Sequence, residues 1–183
     1  MKLSSGEKLI LVMLSEIYKA LKIKGEIDPE VVMRSIFNDQ TWGLRWEYGS
    51  LFNEPDAENP AVVDETCAIL DMYRYVTPAF DKLPKAEQER VKKDAYPFSD
   101  FITFQGFDGN HDPHFSVVGY LVNTLDKYHE LKGAKASLNS HSSGTLPHYR
   151  DMLKIYEEEM ETTSLGSIPL TADQLIKILK GGR

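Results

Sequence analysis

The chain of 183 residues holds a single cysteine, Cys67, so no internal disulfide can form and a secreted, oxidising setting gains no support. A reducing cytoplasm is the expected compartment. No run approaches the roughly 18 apolar residues that a membrane span needs. The start, Met1 to Lys8, enters a pattern with charges inside it and not an unbroken apolar signal core. Clustered positive charge is missing as well. Formal net charge is −7, and the densest basic group, Arg90-Val91-Lys92-Lys93, follows Glu87 and Glu89 on what reads as a solvated helix. Phosphate neutralisation needs clustered Lys and Arg, so the composition argues against a general nucleic-acid binder.

The usual signatures of chemistry are also missing. There is no phosphate-binding loop, no Gly-x-Ser-x-Gly elbow, and Gly106 and Gly109 lack the spacing of a dinucleotide loop. Cys67 falls mid-helix on an apolar stripe, where a structural thiol is the economical reading. Strict period-two alternation never persists, which removes a sheet protein.

What the chain does carry is a repeated device for starting helices. Asp28-Pro29, Asn59-Pro60 and Asp112-Pro113 each place a side-chain acceptor at N-cap and a proline at the first helical position, and Pro84 and Pro147 open two more helices. Capping boxes at Ser4/Glu7 and Thr171/Gln174 start the first and last, the latter with a Leu170–Leu175 staple. Apolar stripes agree with these starts: Ile10, Leu14, Ile17 and Leu21; Val31, Val32, Ile36 and Phe37; Val63, Thr66, Leu70, Tyr73 and Val76; Val117, Tyr120, Leu121, Leu125 and Tyr128; Met152, Leu153, Tyr156 and Met160; Leu175, Ile176 and Leu179. The expectation is an all-α protein, a single multi-helix domain over 1–183. It has about seven helices, one of them from about 113 to 131, and irregular loops near 53–59, 95–112 and 133–147.

Two groups of residues stand out as candidate sites. Asp108, Asn110 and Asp112 match the first offsets of a calcium loop, but the sixth position is Pro113 and the twelfth Gly119, which breaks the match. His111 and His114, three apart, have the residue types of a transition-metal seed; a turn feeding a capped helix accounts for the same residues more simply. His141 and His148 flank a Ser/Gly stretch. The second group, Trp42, Trp46 and Tyr48 around Gly43, has the composition of an interface or of core between two helices. The run Glu157, Glu158, Glu159 and Glu161 reads as a solvated face.

Pieces spread over nearly the whole length resemble the YfbU family: Lys8-Leu9-Ile10-Leu11, Trp42-Gly43-Leu44, Glu65-Thr66-Cys67, Asp71-Met72-Tyr73, Gly106-Phe107-Asp108, Tyr149-Arg150-Asp151-Met152-Leu153 and Leu170-Thr171-Ala172. The resemblance implies an all-helical, cytoplasmic and mostly bacterial class of protein. It brings no active site, and the His111/His114 pair lies outside its pattern.

The leading expectation is therefore a non-catalytic regulatory or scaffolding protein that self-associates and meets a protein partner through aromatic-rich helix surfaces, with Trp42, Trp46 and Tyr48 as the interface. It needs no cofactor, no resident metal, no nucleic acid and no membrane. The alternative is a small-ligand- or metal-binding protein, or an enzyme, with a polar site built from loops 104–114 and 141–148: Asp108, Asn110, His111, His114, His141 and His148. A third reading, DNA binding through the helix opened by Thr171, has few cations to support it.

Overall fold

The computed structural model describes residues 2–52, 59–131, 144–162 and 170–183. Among them are eight α-helices and no strand: α1 (Ser5–Ala20), α2 (Pro29–Phe37), α3 (Trp42–Glu47), α4 (Ala61–Lys82), α5 (Lys85–Asp94), α6 (His114–Asn123), α7 (Leu146–Thr162) and α8 (Ala172–Lys180). Short 3₁₀ turns at Gly49–Leu51, Ser99–Ile102 and His129–Leu131 join them. No helix of the described residues is long and apolar enough to cross a membrane.

Three helix starts form as the capping chemistry dictates, whereas α4 and α6 begin one residue later than expected, at Ala61 and His114, so Pro60 and Pro113 precede the first helical position. Ser4 and Thr171 head complete capping boxes, and Asp28 accepts the Glu30 amide with Pro29 at the first helical position. Pro84 and Pro147 sit one position off expectation, Pro84 as the N-cap of α5 and Pro147 inside the first turn of α7. The helix expected over 113–131 stops at Asn123. Asp126 and Tyr128 both take positive φ, which ends the right-handed run. The Leu125 amide reaches the Tyr120 carbonyl and the Lys127 amide reaches that of Leu121, so the chain wraps its own C-terminus while Leu125 and Tyr128 stay buried.

By internal contacts the chain groups into two units, Met1–Val63 with Ser116–Ala134, and Asp64–Phe115 with Lys135–Arg183. In the first, α1 lies along α2 through the side that carries Leu11, Ser15 and Tyr18. Ser15, buried at the contact, gives its hydroxyl proton to the Leu11 carbonyl at 2.7 Å. Val31, Val32 and Ile36 bury the inner face of α2. Between them Ser35 links elements: the Tyr120 hydroxyl donates to Ser35 Oγ at 2.6 Å, which donates on to the Val31 carbonyl. Tyr120 also packs edge-on against Trp42, centroids 5.5 Å apart, and lies over α3 at Gly43, where any Cβ would overlap its ring.

The sequence stripe Ile10, Leu14, Ile17 and Leu21 is helical as expected, but it does not face core. Those residues, with Leu9 and Met13, remain between 51% and 68% exposed. The spacing identifies the helix and not its cover: only the opposite side of α1 has a partner in its unit. Phe37, assigned to the stripe of α2, is exposed too.

In the second unit, Thr66, Ile69, Leu70, Met72, Tyr73 and Val76 of α4 are buried, with Tyr149, Met152 and Ile155 of α7 and Leu175, Ile178 and Leu179 of α8. Helix α8 packs on both α5 and α7. The end of α4 is closed by a side chain: Gln88 Nε2 lies 3.0–3.2 Å from the carbonyls of Phe80, Asp81 and Leu83.

Because the Tyr120 ring occupies the space a methyl group would need, Gly43→Ala is expected to cost about 1–3 kcal/mol. Urea denaturation checks it: the midpoint falls with unchanged slope. An unchanged midpoint would contradict the close approach.

Candidate functional site

The polar candidates belong to the second unit, and Tyr149 organises them. It is fully buried on α7 and accepts the Gln105 amide at 3.0 Å while donating to the Gly106 carbonyl at 3.0 Å. Thr145 donates to the same carbonyl at 2.8 Å, and Gly106 takes a positive φ of 83° to present it. Gln105 and Gly106 therefore meet Thr145 and Tyr149. Phe101, Phe104 and Phe107 pack round the Tyr149 ring at 5.6–5.7 Å between centroids. Burial pushes the phenol of Tyr149 well above its ordinary pKa.

The turn that follows satisfies itself. Asp108 Oδ1 accepts the Asn110 amide at 2.8 Å, Asp108 Oδ2 meets His111 Nδ1 at 2.8 Å, and the Asp108 amide donates to Asp112 Oδ2 at 3.0 Å. This is an Asx turn leading into α6. The Asn110 amide, then His111, lowers the Asp108 pKa, and Asp108 raises that of His111. His111 stands in solvent. No group of three or more His, Cys, Asp or Glu among the described residues is arranged to hold a metal ion.

His114 takes a different partner. It is buried at the first position of α6, with Nε2 2.7 Å from Glu65 Oε2 on α4 and its ring against Phe107. Arg150 of α7 grips the same carboxylate in a fork, Nε to Oε1 at 2.6 Å and Nη2 to Oε2 at 2.9 Å. The Arg150 bonds chiefly, with His114 adding, hold the Glu65 pKa down to about 2 against the opposing effect of burial. A carboxylate so held has little affinity for a proton, so the arrangement is a clamp between three helices rather than a general base. His114 Nδ1 is buried with no hydrogen-bond partner.

His148 meets neither histidine of the turn. It stacks on Phe98 at 4.4 Å and 19°, with Phe101 edge-on, and Arg183 lies over the far ring system at 5.2 Å from the Phe98 centroid. Burial first, then the Arg183 charge, lowers its pKa, opposed by the Leu179 carbonyl and the Asp151 carboxylate. His141 lies outside the described residues. Thus Asp108, Asn110 and His111 share one turn, His114 a clamp and His148 an aromatic cage.

The interface candidates lie in the first unit. Trp42 is buried, T-shaped to Trp46 at 4.9 Å, and its indole N–H donates to Gln40. Trp46 is 38% exposed and bonds Asn59 at 2.9 Å, while the Tyr48 hydroxyl accepts the Asp28 amide at 2.9 Å. Of the three, only Trp42 is buried; Trp46 is exposed and Tyr48 half-buried. Cys67 is half-buried. Sequence reasoning did not pair Glu65 with Arg150, 85 residues apart, though both stand in the pieces that carry the family resemblance. Nor did it find the open face of α1, whose spacing signals amphipathicity and says nothing of the cover.

Eight helices without a strand among the described residues define an all-helical class. A family model, the YfbU domain, matches residues 1–180, and the chain belongs to that family. No curated protein and no solved structure matches it.

For His148 the folded pKa is depressed, so its neutral form supports stability above the unfolded value near 6.5, and that support is lost as pH falls through the folded pKa. His111, with a raised pKa, acts in the opposite sense but equally in wild type and variant. His148→Phe is therefore expected to be less pH-sensitive, its stability relative to wild type growing as pH falls from about 7.5 to 5. Parallel stability–pH curves from urea melts would refute this.

Proposed function

We propose that this protein is a non-catalytic regulatory or scaffolding protein of the cytoplasm that works by self-association, with the outer face of α1 as its contact surface. One observation carries the reading: Leu9, Ile10, Met13, Leu14, Ile17 and Leu21 form a continuous apolar stripe that is more than half exposed. Monomeric proteins rarely leave such a patch open, and one of this kind marks a docking surface. Together with Ile23, which is 48% exposed, these side chains expose on the order of 700 Å², close to the roughly 800 Å² per partner of a standard interface.

The surface differs from the one expected from composition. Trp42 is buried in α3 against Tyr120, and the contact itself falls to the aliphatic side chains of α1. Asp108, His111, Glu65 and Arg150 of the second unit are engaged with partners in that unit, which supports a structural role for them; His114 Nδ1 and both ring nitrogens of His148 are buried without a hydrogen bond.

Light scattering tests the reading. Wild type is expected to exceed the monomer mass at about 0.1 mM, where an association of about 5.5 kcal/mol is half populated. Leu14→Glu, which would bury a charge in the contact, is expected to weaken association by roughly 100-fold or more with helix content unchanged by circular dichroism. A wild type that stays monomeric at that concentration overturns the proposal.

A further inference from the structure

We infer that α1 pairs with α1 of a second copy of this chain, antiparallel, about a two-fold axis between residues 15 and 16. The inference rests on the self-association proposed above and goes further by naming the occupant of the face and its direction. Ile10, Leu14, Ile17 and Leu21 follow one another at intervals of four, three and four, which is the seam of a helix pair. In an antiparallel pair such a seam closes on itself. Ile10 meets Leu21 of the second copy, Leu14 meets Ile17, and the two-fold repeats both contacts. All four residues are more than half exposed, and no element of their own unit covers them.

Charge selects the direction. Glu7 stands in the first turn of α1, and Lys22 and Lys24 follow its last turn. An antiparallel pair sets Glu7 of each copy beside Lys22 and Lys24 of the other, at both ends of the seam. A parallel pair would set Glu7 against Glu7 and lysine against lysine. The helix dipoles add to the same preference. Shape agrees as well. Ile10 also lines a groove of about 470 Å³ with Leu3, Leu11, Val32, Leu44 and Phe52, mostly apolar, beside the N-terminal turns of α1. The antiparallel register delivers Leu21 and Ile23 of the second copy to that end of the helix, where the groove receives them. The exposed area, on the order of 700 Å² per copy, is what a stable dimer needs.

Cysteine cross-linking in a Cys67→Ser background tests both parts. Across an antiparallel seam, position 10 lies about 16 Å along the axis from its own symmetry mate, beyond the roughly 7 Å that a disulfide spans. Ile10→Cys alone and Leu21→Cys alone are therefore expected to give little cross-linked dimer on mild oxidation. An equimolar mixture, differently tagged and allowed to exchange subunits, is expected to give about tenfold more, all of it between the two tags. Efficient cross-linking of Ile10→Cys with itself, in a protein that light scattering shows to be dimeric, would overturn the antiparallel pairing and leave self-association standing. A dimer that cross-links in no arm would remove α1 from the interface. A wild type that is monomeric overturns both readings, and its flotation with phosphatidylglycerol vesicles would assign the face to lipid instead.

Discussion

Water penalises an exposed aliphatic surface by about 25 cal/mol per Å², and an amphipathic helix is stable only where something relieves that penalty. Helices α2 to α8 each bury apolar side chains within the chain. Helix α1 buries only the side that carries Ser15 and leaves its richest stripe in solvent. Its capping box, with Ser4 accepting the Glu7 amide and Glu7 reaching back to Ser4, and its contact with α2 hold it in place. They do nothing for Ile10, Leu14 or Ile17. The functional reading follows from that imbalance.

The second unit shows the opposite economy. Its polar groups are spent on holding helices in register. The Gly106 carbonyl receives both Thr145 and Tyr149, and Glu65 receives both Arg150 and His114. A single charged acceptor shared by two donors from separate helices fixes their relative position more tightly than apolar packing, which tolerates sliding. The aromatic rings round Tyr149 exclude water from the bonds to the Gly106 carbonyl and strengthen them. Glu65, Arg150 and His114 join α4, α7 and α6.

Much of this was legible in the chain. Helix identity follows from local chemistry, and Ser4, Asp28 and Thr171 cap the helices that their neighbours dictate. The stripe of α4 and that of residues 117–128 are buried as their spacing requires, although positive φ at Asp126 and Tyr128 divides the latter into a helix and a wrapped end. Residues 108–112 form the turn that Asx chemistry favours. The Glu65–Arg150 pair was not legible, since no local rule links residues 85 apart. Periodicity also gave no sign that the stripe of α1 faces outward, because a helix bears the same pattern whether its cover comes from its own chain or from another. The aromatic cluster at Trp42 drew attention for the same reason: large rings serve core and interface alike, and here Tyr120 takes Trp42 inward while Trp46 stays exposed.

The central claim is that a second copy covers α1. Amide hydrogen exchange followed against protein concentration tests it most directly, because it reports on the unmodified chain segment by segment. The account predicts that protection over residues 9–23 rises with concentration while that of α7 and α8 stays constant. Exchange in residues 9–23 that is independent of concentration, in a protein whose mass also stays that of one chain, would contradict it.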